Sequence, residues 1–425
     1  MNSGKCPFPH DDLLGFLKHG YPYTSQQRNE AGAEGTDKPV RLTVMGKPAI
    51  LLRGKEGVRT FYDNSLIKRN GSMPTFIQGS LFGNGSVHSL DDEEHMNRKR
   101  TFVRVCYDDA QVARMEPMIE DEVREALQRA AKHPEDLYDA MVIAYGRASL
   151  RWAGIEGTDA ELDVVARRLG EIVEGFAHVD LDHAKSWINR RLTDRWGAQV
   201  IKEQREGKRN AQPGTSLFEW ANHRDTNGQL LSPKIAGLEM QNTYRPHIAV
   251  ARFAAFAAKE LAERPEWRQR IQKETAERGS LTGGPLAKAF AQEIRRTAPF
   301  VPLLPSFARK DFEVQGEQIK EGDRVMIDVL NTNTNPLDWE GGAEFNPERF
   351  VGVDDYESLE AFIPQGGSKV ETGHRCPGEK IAINSLATSI AALCEPGVEI
   401  LDVPEVDMSK MPTRPYGIKW KYTKA

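Results

Sequence analysis

The residues with the most evident chemistry lie toward the C-terminal end: Pro364-Gln365-Gly366-Gly367, then Gly373-His374-Arg375-Cys376-Pro377-Gly378-Glu379. Glycines on both sides of one cysteine let the backbone turn tightly and approach a flat partner closely. Cys376 stands just ahead of a segment in which Ile383, Leu386, Ile390 and Leu393 share one helical face. A sulfur at a helix N-terminus meets free N–H groups and the positive end of the aligned peptide dipoles, which favour the thiolate. These are the conditions for an anionic sulfur ligand to iron. Cys6, Cys106 and Cys394 are far apart, form no CxxC pair or zinc spacing, and read as reduced thiols.

Two further segments carry charge in a pattern. Glu293 and Arg296, in Glu293-Ile294-Arg295-Arg296, share a face of a helix whose buried stripe is Leu286, Phe290 and Ile294. Alone, such a pair is an ordinary surface ion pair. Further on comes Phe345-Asn346-Pro347-Glu348-Arg349-Phe350, whose Arg349 can complete a charge network with them. The helix pair, the PERF segment and the glycine-framed cysteine, in this order, resemble the cytochrome P-450 superfamily over essentially the whole chain. The resemblance implies a mainly α fold with small β regions (α+β), as one large haem-binding domain over residues 1–425 with 1–12 as a candidate disordered lead. It also implies haem b as cofactor, Cys376 as its axial thiolate and metal ligand, and Glu293, Arg296 and Arg349 as the charge network of the core beneath it.

Two departures from the common pattern narrow the resemblance. Most members have one residue between the loop arginine and the cysteine, whereas Arg375 precedes Cys376 directly. Most also carry an acid–alcohol pair midway along the central helix, to relay protons to bound dioxygen. Here that helix reads Gln241-Asn242-Thr243-Tyr244-Arg245-Pro246-His247. With the PQGG and GHRCPGE runs, these features resemble the bacterial fatty-acid peroxygenase branch, which includes the alkene-forming fatty-acid decarboxylases. That branch implies oxidation of long-chain fatty acids at Cα and Cβ with hydrogen peroxide as cosubstrate and no obligatory redox partner. The products would be a terminal alkene with carbon dioxide, and 2- or 3-hydroxy acids.

The substitution makes chemical sense. An arginine in a low-dielectric pocket pairs bidentately with a carboxylate. A fatty acid held at Arg245 brings its own carboxylate to the reacting centre and supplies the acid–base group that the helix lacks. Pro246 removes a backbone donor and loosens the helix. His88, in Leu81-Phe82-Gly83-Asn84-Gly85-Ser86-Val87-His88, falls where alkene-forming members carry histidine and hydroxylating members glutamine. As a titratable donor its pKa can cross neutrality. Arg245, His88 and Pro246 are therefore the expected catalytic residues, with Arg245, Leu81, Phe82 and Phe176 expected against substrate. Arg69, His95, Arg98 and Arg375 resemble positions that meet haem propionates. Two alternatives stay open: a reductase-dependent fatty-acid monooxygenase, against which Arg245-Pro246 argues, and a non-catalytic haem-thiolate sensor or carrier.

Positioning these residues requires long elements. Val40, Leu42 and Val44 alternate toward Met45-Gly46-Lys47, and Ile50-Leu51-Leu52 follows, which predicts paired strands. Helical spacing fills 116–132, 136–153, 160–177, 185–208, 237–263 and 286–298, with breaks at Gln212-Pro213-Gly214 and from Gly279 to Pro285. Short strands are expected around Phe312 and Val314 and at Val325, Ile327 and Val329, and a last helix from about Gly378 to Cys394. The 425 residues show no internal repeat or long linker, and their net charge of −5 recruits neither nucleic acid nor an anionic membrane. The N-terminal residues lack a signal-peptide core, and no apolar run approaches the roughly 20 residues needed to cross a bilayer, so a cytoplasmic location is expected.

Overall fold

The computed structural model describes residues 11–175 and 181–424. Ten helices of 13 residues or more make up most of it, numbered here in chain order. They are α1 (Asp92–Cys106), α2 (Asp109–Ala130), α3 (Leu137–Trp152), α4 (Asp159–Glu174) and α5 (Leu181–Arg205). The others are α6 (Pro233–Ile248), α7 (Ala251–Glu263), α8 (Pro265–Arg278), α9 (Pro285–Thr297) and α10 (Glu379–Leu393). Local chemistry sets the starts. Thr158 and Glu161 close a capping box at α4, Ser232 accepts from Ile235 N–H ahead of Pro233 at α6, and proline occupies the first turn of α8 and α9.

Helix α6 runs through the middle of the helical layer against α5 and α3. Its backbone crosses α5 closely: a Cβ on Gly237 would stand 2.5 Å from the Gly197 carbonyl carbon. Only two glycines facing each other permit that approach. The expected continuous helix over 237–263 is in fact two helices, separated at Ala249-Val250. Pro246 has no N–H to give the Asn242 carbonyl, and the chain recovers with Ala249 N–H on Arg245 O and Val250 N–H on His247 O.

The strand pieces from both ends of the chain meet in one five-stranded sheet, in the order 40–44, 47–52, 324–328, 303–308 and 67–68. Lys47–Leu52 lies parallel to Arg324–Asp328, with Ala49 opposite Arg324. Ile50, Leu52, Val325 and Ile327 pack with Phe61, Tyr62 and Ile363, which fixes the start of the cysteine loop to the sheet. Val329, expected to end the strand, instead opens a short helix capped by Asp328. Asp11 and Asp12, placed in the disordered lead by sequence, are structured: Asp11 accepts from Leu13 N–H and caps the helix Asp12–His19.

Candidate active site

The cysteine side of the site is built on buried charge. Gly366 adopts φ +97°, and a Cβ there would come within 2.8 Å of the His374 carbonyl oxygen. This turn lets the Cys376 N–H donate to the Gln365 carbonyl at 3.0 Å, which closes the loop ahead of α10. Glu379, in the first turn of α10, accepts from Arg375 Nε and from Arg295 Nη2, both at 2.7 Å. Deeper, Arg296 makes two hydrogen bonds of 2.7 Å to Glu293 and donates to the carbonyls of Asn333, Gly342 and Glu344. Arg349 Nε stands 3.7 Å from Glu293.

Burial, and next Glu379, push the Cys376 thiol up, while the Gly378 N–H, Lys99 and Arg295 pull the other way. The net direction is upward, so a thiolate at Cys376 calls for a cation bound directly to it, as a metal ion would be. Arg375 was expected to meet a propionate. Its guanidinium is instead taken by Glu379 and by the Phe362 carbonyl, because the glutamate lies one helical turn beyond it. Arg295 was not singled out from sequence, since only its tertiary partners distinguish it from other helix arginines.

Above the loop, cationic and donor groups converge without counter-ions. His95 and Lys99 lie one turn apart on α1, both buried. Lys99 Nζ donates to the Arg375 carbonyl at 2.6 Å, and the His95 ring packs 4.4 Å from the His374 ring. Arg69 lies over the Phe61 ring at 4.2 Å and makes no ion pair with another described residue. Burial lowers Lys99 to about 8 and His95 to about 4. His374 is also lowered, by burial and then by Arg69, His95, Lys99 and His88, so these groups face one another. The nearby carboxylate, Asp91, is occupied by the backbone N–H groups of Arg69 and Asn70. A thiol beside such a rim fits haem b: Cys376 would hold the iron, and Arg69, His95, Lys99 and His374 would be the groups available to its two propionates.

Arg98, expected in that rim, is turned away: it bonds Glu239 at 2.5 Å and the Gly85 carbonyl at 2.6 Å. Lys99 stands in the rim in its place. The i, i+4 spacing of His95 and Lys99 is the sequence signal that could have found it.

The opposite wall is α6. Arg245 is fully buried, with Nη2 donating to Asn242 Oδ1 at 2.5 Å, while Nη1 has no partner and no described carboxylate forms an ion pair with it. Burial, then the neighbouring Arg190, lower it to about 9, so it remains a cation at neutral pH. Arg190 is itself paired with Asp194 and donates to the Leu81 carbonyl from α5. Leu81 and Phe82 close a π-turn over Gln78–Phe82, and the Phe82 ring stacks on His88 at 4.1 Å.

His88 keeps accessible surface although protein surrounds it, and Pro246 is exposed on a helix otherwise buried from Ala236 to Ile248. Burial, then Arg245, His95 and Lys99, push His88 down to about 3. It is held neutral rather than poised near neutrality as the sequence suggested, first because it is buried and then because the Arg245 and Lys99 charges face it. Phe176 lies outside the described residues.

Comparisons with known proteins agree with this architecture. The Cytochrome P450 family model matches residues 253–395. Among curated relatives, a 3-beta-hydroxylase of Tanacetum parthenium is 31% identical over 252 residues, 56% of this chain and 47% of that protein. The chain spans about half or less of the length of the curated relatives it matches. Solved structures align along nearly all of it. A variant of cytochrome P450 OleT in complex with arachidonic acid is 29% identical, covering 98% of this chain and 97% of that one, with a TM-score of 0.88. Cytochrome P450SP alpha (CYP152B1) in complex with (R)-ibuprofen is 30% identical, covering 97% of this chain and 98% of that one, with a TM-score of 0.87. Whole-length similarity at that identity, on a fold that seats a lone cysteine beneath a cationic rim, makes this chain a member of the cytochrome P450 family.

Proposed function

We propose that the protein is a haem-thiolate peroxygenase of long-chain fatty acids. The observation that carries this reading is Arg245: a buried guanidinium with one edge free, where a carboxylate can be received. The carboxylic-acid ligands of the two solved relatives, arachidonic acid and ibuprofen, support it. Bound through Cys376, haem supplies the two-electron oxidation that peroxide drives.

The chain's own residues do the rest. Arg245 accepts the carboxylate and fixes Cα and Cβ as the carbons within reach. The bound carboxylate then serves as the acid–base group for peroxide, at a position where α6 offers neither acid nor alcohol. Neutral His88 can give that carboxylate one N–H bond without adding charge, and Phe82 holds the imidazole ring and lines the path of the acyl chain. Pro246 leaves the turn beside Arg245 unfilled by a backbone donor. Decarboxylation balances as fatty acid plus hydrogen peroxide giving terminal alkene, carbon dioxide and two waters. Hydroxylation gives the 2- or 3-hydroxy acid and one water.

The test is turnover of palmitate by haem-loaded protein with hydrogen peroxide and no reductase, with products separated by gas chromatography. A terminal alkene one carbon shorter, together with hydroxy acid, is expected. No product from protein with its haem intact, but turnover once a reductase is added, would overturn the reading.

A further inference from the structure

Glu239 is fully buried on α6, two turns ahead of the helix end and away from any solvent that could hydrate its charge. Burial raises its carboxyl, and Arg98 and Asn242 oppose that rise. Three groups converge on it. Oε1 accepts from Arg98 Nη1 at 2.5 Å and from the Val87 backbone N–H at 2.7 Å, and Oε2 accepts from Asn242 Nδ2 at 3.0 Å. Asn242 then accepts from Arg245 through Oδ1. The series Arg98, Glu239, Asn242, Arg245 thus runs along one face of α6 at i, i+3 and i+6 and reaches across to α1.

Each link has a physical consequence. An asparagine amide can present either its oxygen or its nitrogen to a neighbour. Glu239 accepts only, so it takes the NH2 of Asn242 and thereby turns the oxygen toward Arg245. That oxygen holds Nη2 and fixes the guanidinium plane, leaving the Nη1 edge for a ligand. The same carboxylate holds the N–H of Val87, whose next residue is His88. Arg98 neutralises Glu239, so the buried pair adds no net charge beside Arg245. Arg190 and Asp194 form a second neutral pair nearby, so Arg245 alone is left to an incoming anion.

We propose that Glu239 is a positioning residue for the substrate carboxylate: through Asn242 it orients Arg245, and through Val87 N–H it holds His88 opposite. This proposal deepens the fatty-acid reading and rests on it. It assigns a role to a carboxylate that touches neither substrate nor cofactor, and predicts that the site's affinity for carboxylate is set two hydrogen bonds away.

The test titrates palmitate into haem-loaded parent, Glu239→Gln, Asn242→Leu and Asn242→Asp, following the absorbance shift of the haem, with thermal unfolding measured alongside. Asn242→Leu leaves the Arg98–Glu239 pair and its charge in place, so it carries the test even where Glu239→Gln fails to fold. Asn242→Asp places a carboxylate against Arg245 and should remove most palmitate binding while the haem stays seated. Expected are an apparent Kd for palmitate raised about tenfold or more in each variant, the loss appropriate to a hydrogen bond to a charged group, and a changed alkene-to-hydroxy-acid ratio in Glu239→Gln. Parent-like affinity and product ratio in Asn242→Leu would overturn the positioning role while leaving the substrate reading intact. A parent whose absorbance does not respond to palmitate would overturn both.

Discussion

The two walls of the site treat buried charge in opposite ways. Below, on the cysteine side, Glu293 and Arg296 lock together and Glu379 holds both Arg295 and Arg375. Above, where α6 meets α1 and α5, the pairs Arg98–Glu239 and Arg190–Asp194 are likewise matched, but Arg245 is left with a free edge. At these two walls the paired charges hold the structure, whereas Arg245 keeps an edge without a partner. The same contrast applies to the rim, where Arg69 and Lys99 form no ion pair among the described residues and His95 and His374 stand beside them as neutral rings.

The contrast makes opposite predictions for the two arginines. Arg296→Leu leaves buried Glu293 with only the more distant Arg349 at 3.7 Å and the Asn346 N–H, and breaking such a buried pair costs about 3–5 kcal/mol. Protein that holds no haem, or a large fall in thermal unfolding temperature, is expected. Arg245→Leu removes a charge that has no partner, so unfolding temperature should stay level or rise while haem absorbance is retained. Peroxide-driven palmitate oxidation should nevertheless fall by about a hundredfold or more, the scale of losing a bidentate charge-assisted contact. Unchanged turnover in that variant would remove the carboxylate anchor.

Smaller effects follow. His88→Gln replaces a neutral ring packed on Phe82 by a neutral amide, and is expected to move products from alkene toward hydroxy acid by about threefold, at unchanged haem content. An unaltered ratio would reduce His88 to packing.

The smallest effect concerns pH. Burial lowers His247 to about 3, and burial followed by the Arg98 and Arg104 charges lowers His223 to about 4. Both lie below the unfolded value of about 6.5, so the unfolded chain binds more protons in between. Their contribution to stability is present above about pH 6.5 and is lost as pH falls toward 4. His247→Gln should make the decline of unfolding temperature between pH 7 and pH 5 shallower, and an identical slope would show that His247 does not take part.

Much of this was legible in the sequence because it was local. The glycines about Cys376 and the apolar stripe of α10 report a loop ahead of a helix, and Arg245-Pro246 reports a locally loosened central helix with a charge in it, although not the break at Ala249-Val250. The hairpin at 40–52 and the strand near 325 were both plain from alternation, whereas their parallel pairing was not, since pairing across so many residues leaves no periodic trace.

Direction and partnership were decided only in three dimensions. Arg98 and Lys99 are adjacent and both basic, yet one turns to Glu239 and the other to the cysteine loop. Arg375 touches the proposed ligand in sequence but faces Glu379 in space. Residue type and spacing determined that this chain would carry a glycine-framed cysteine ahead of a helix and a cation on its central helix. Which cations find carboxylates, and which one is left for a substrate, was decided by the tertiary structure, because an ion pair depends on distance and burial rather than on order along the chain.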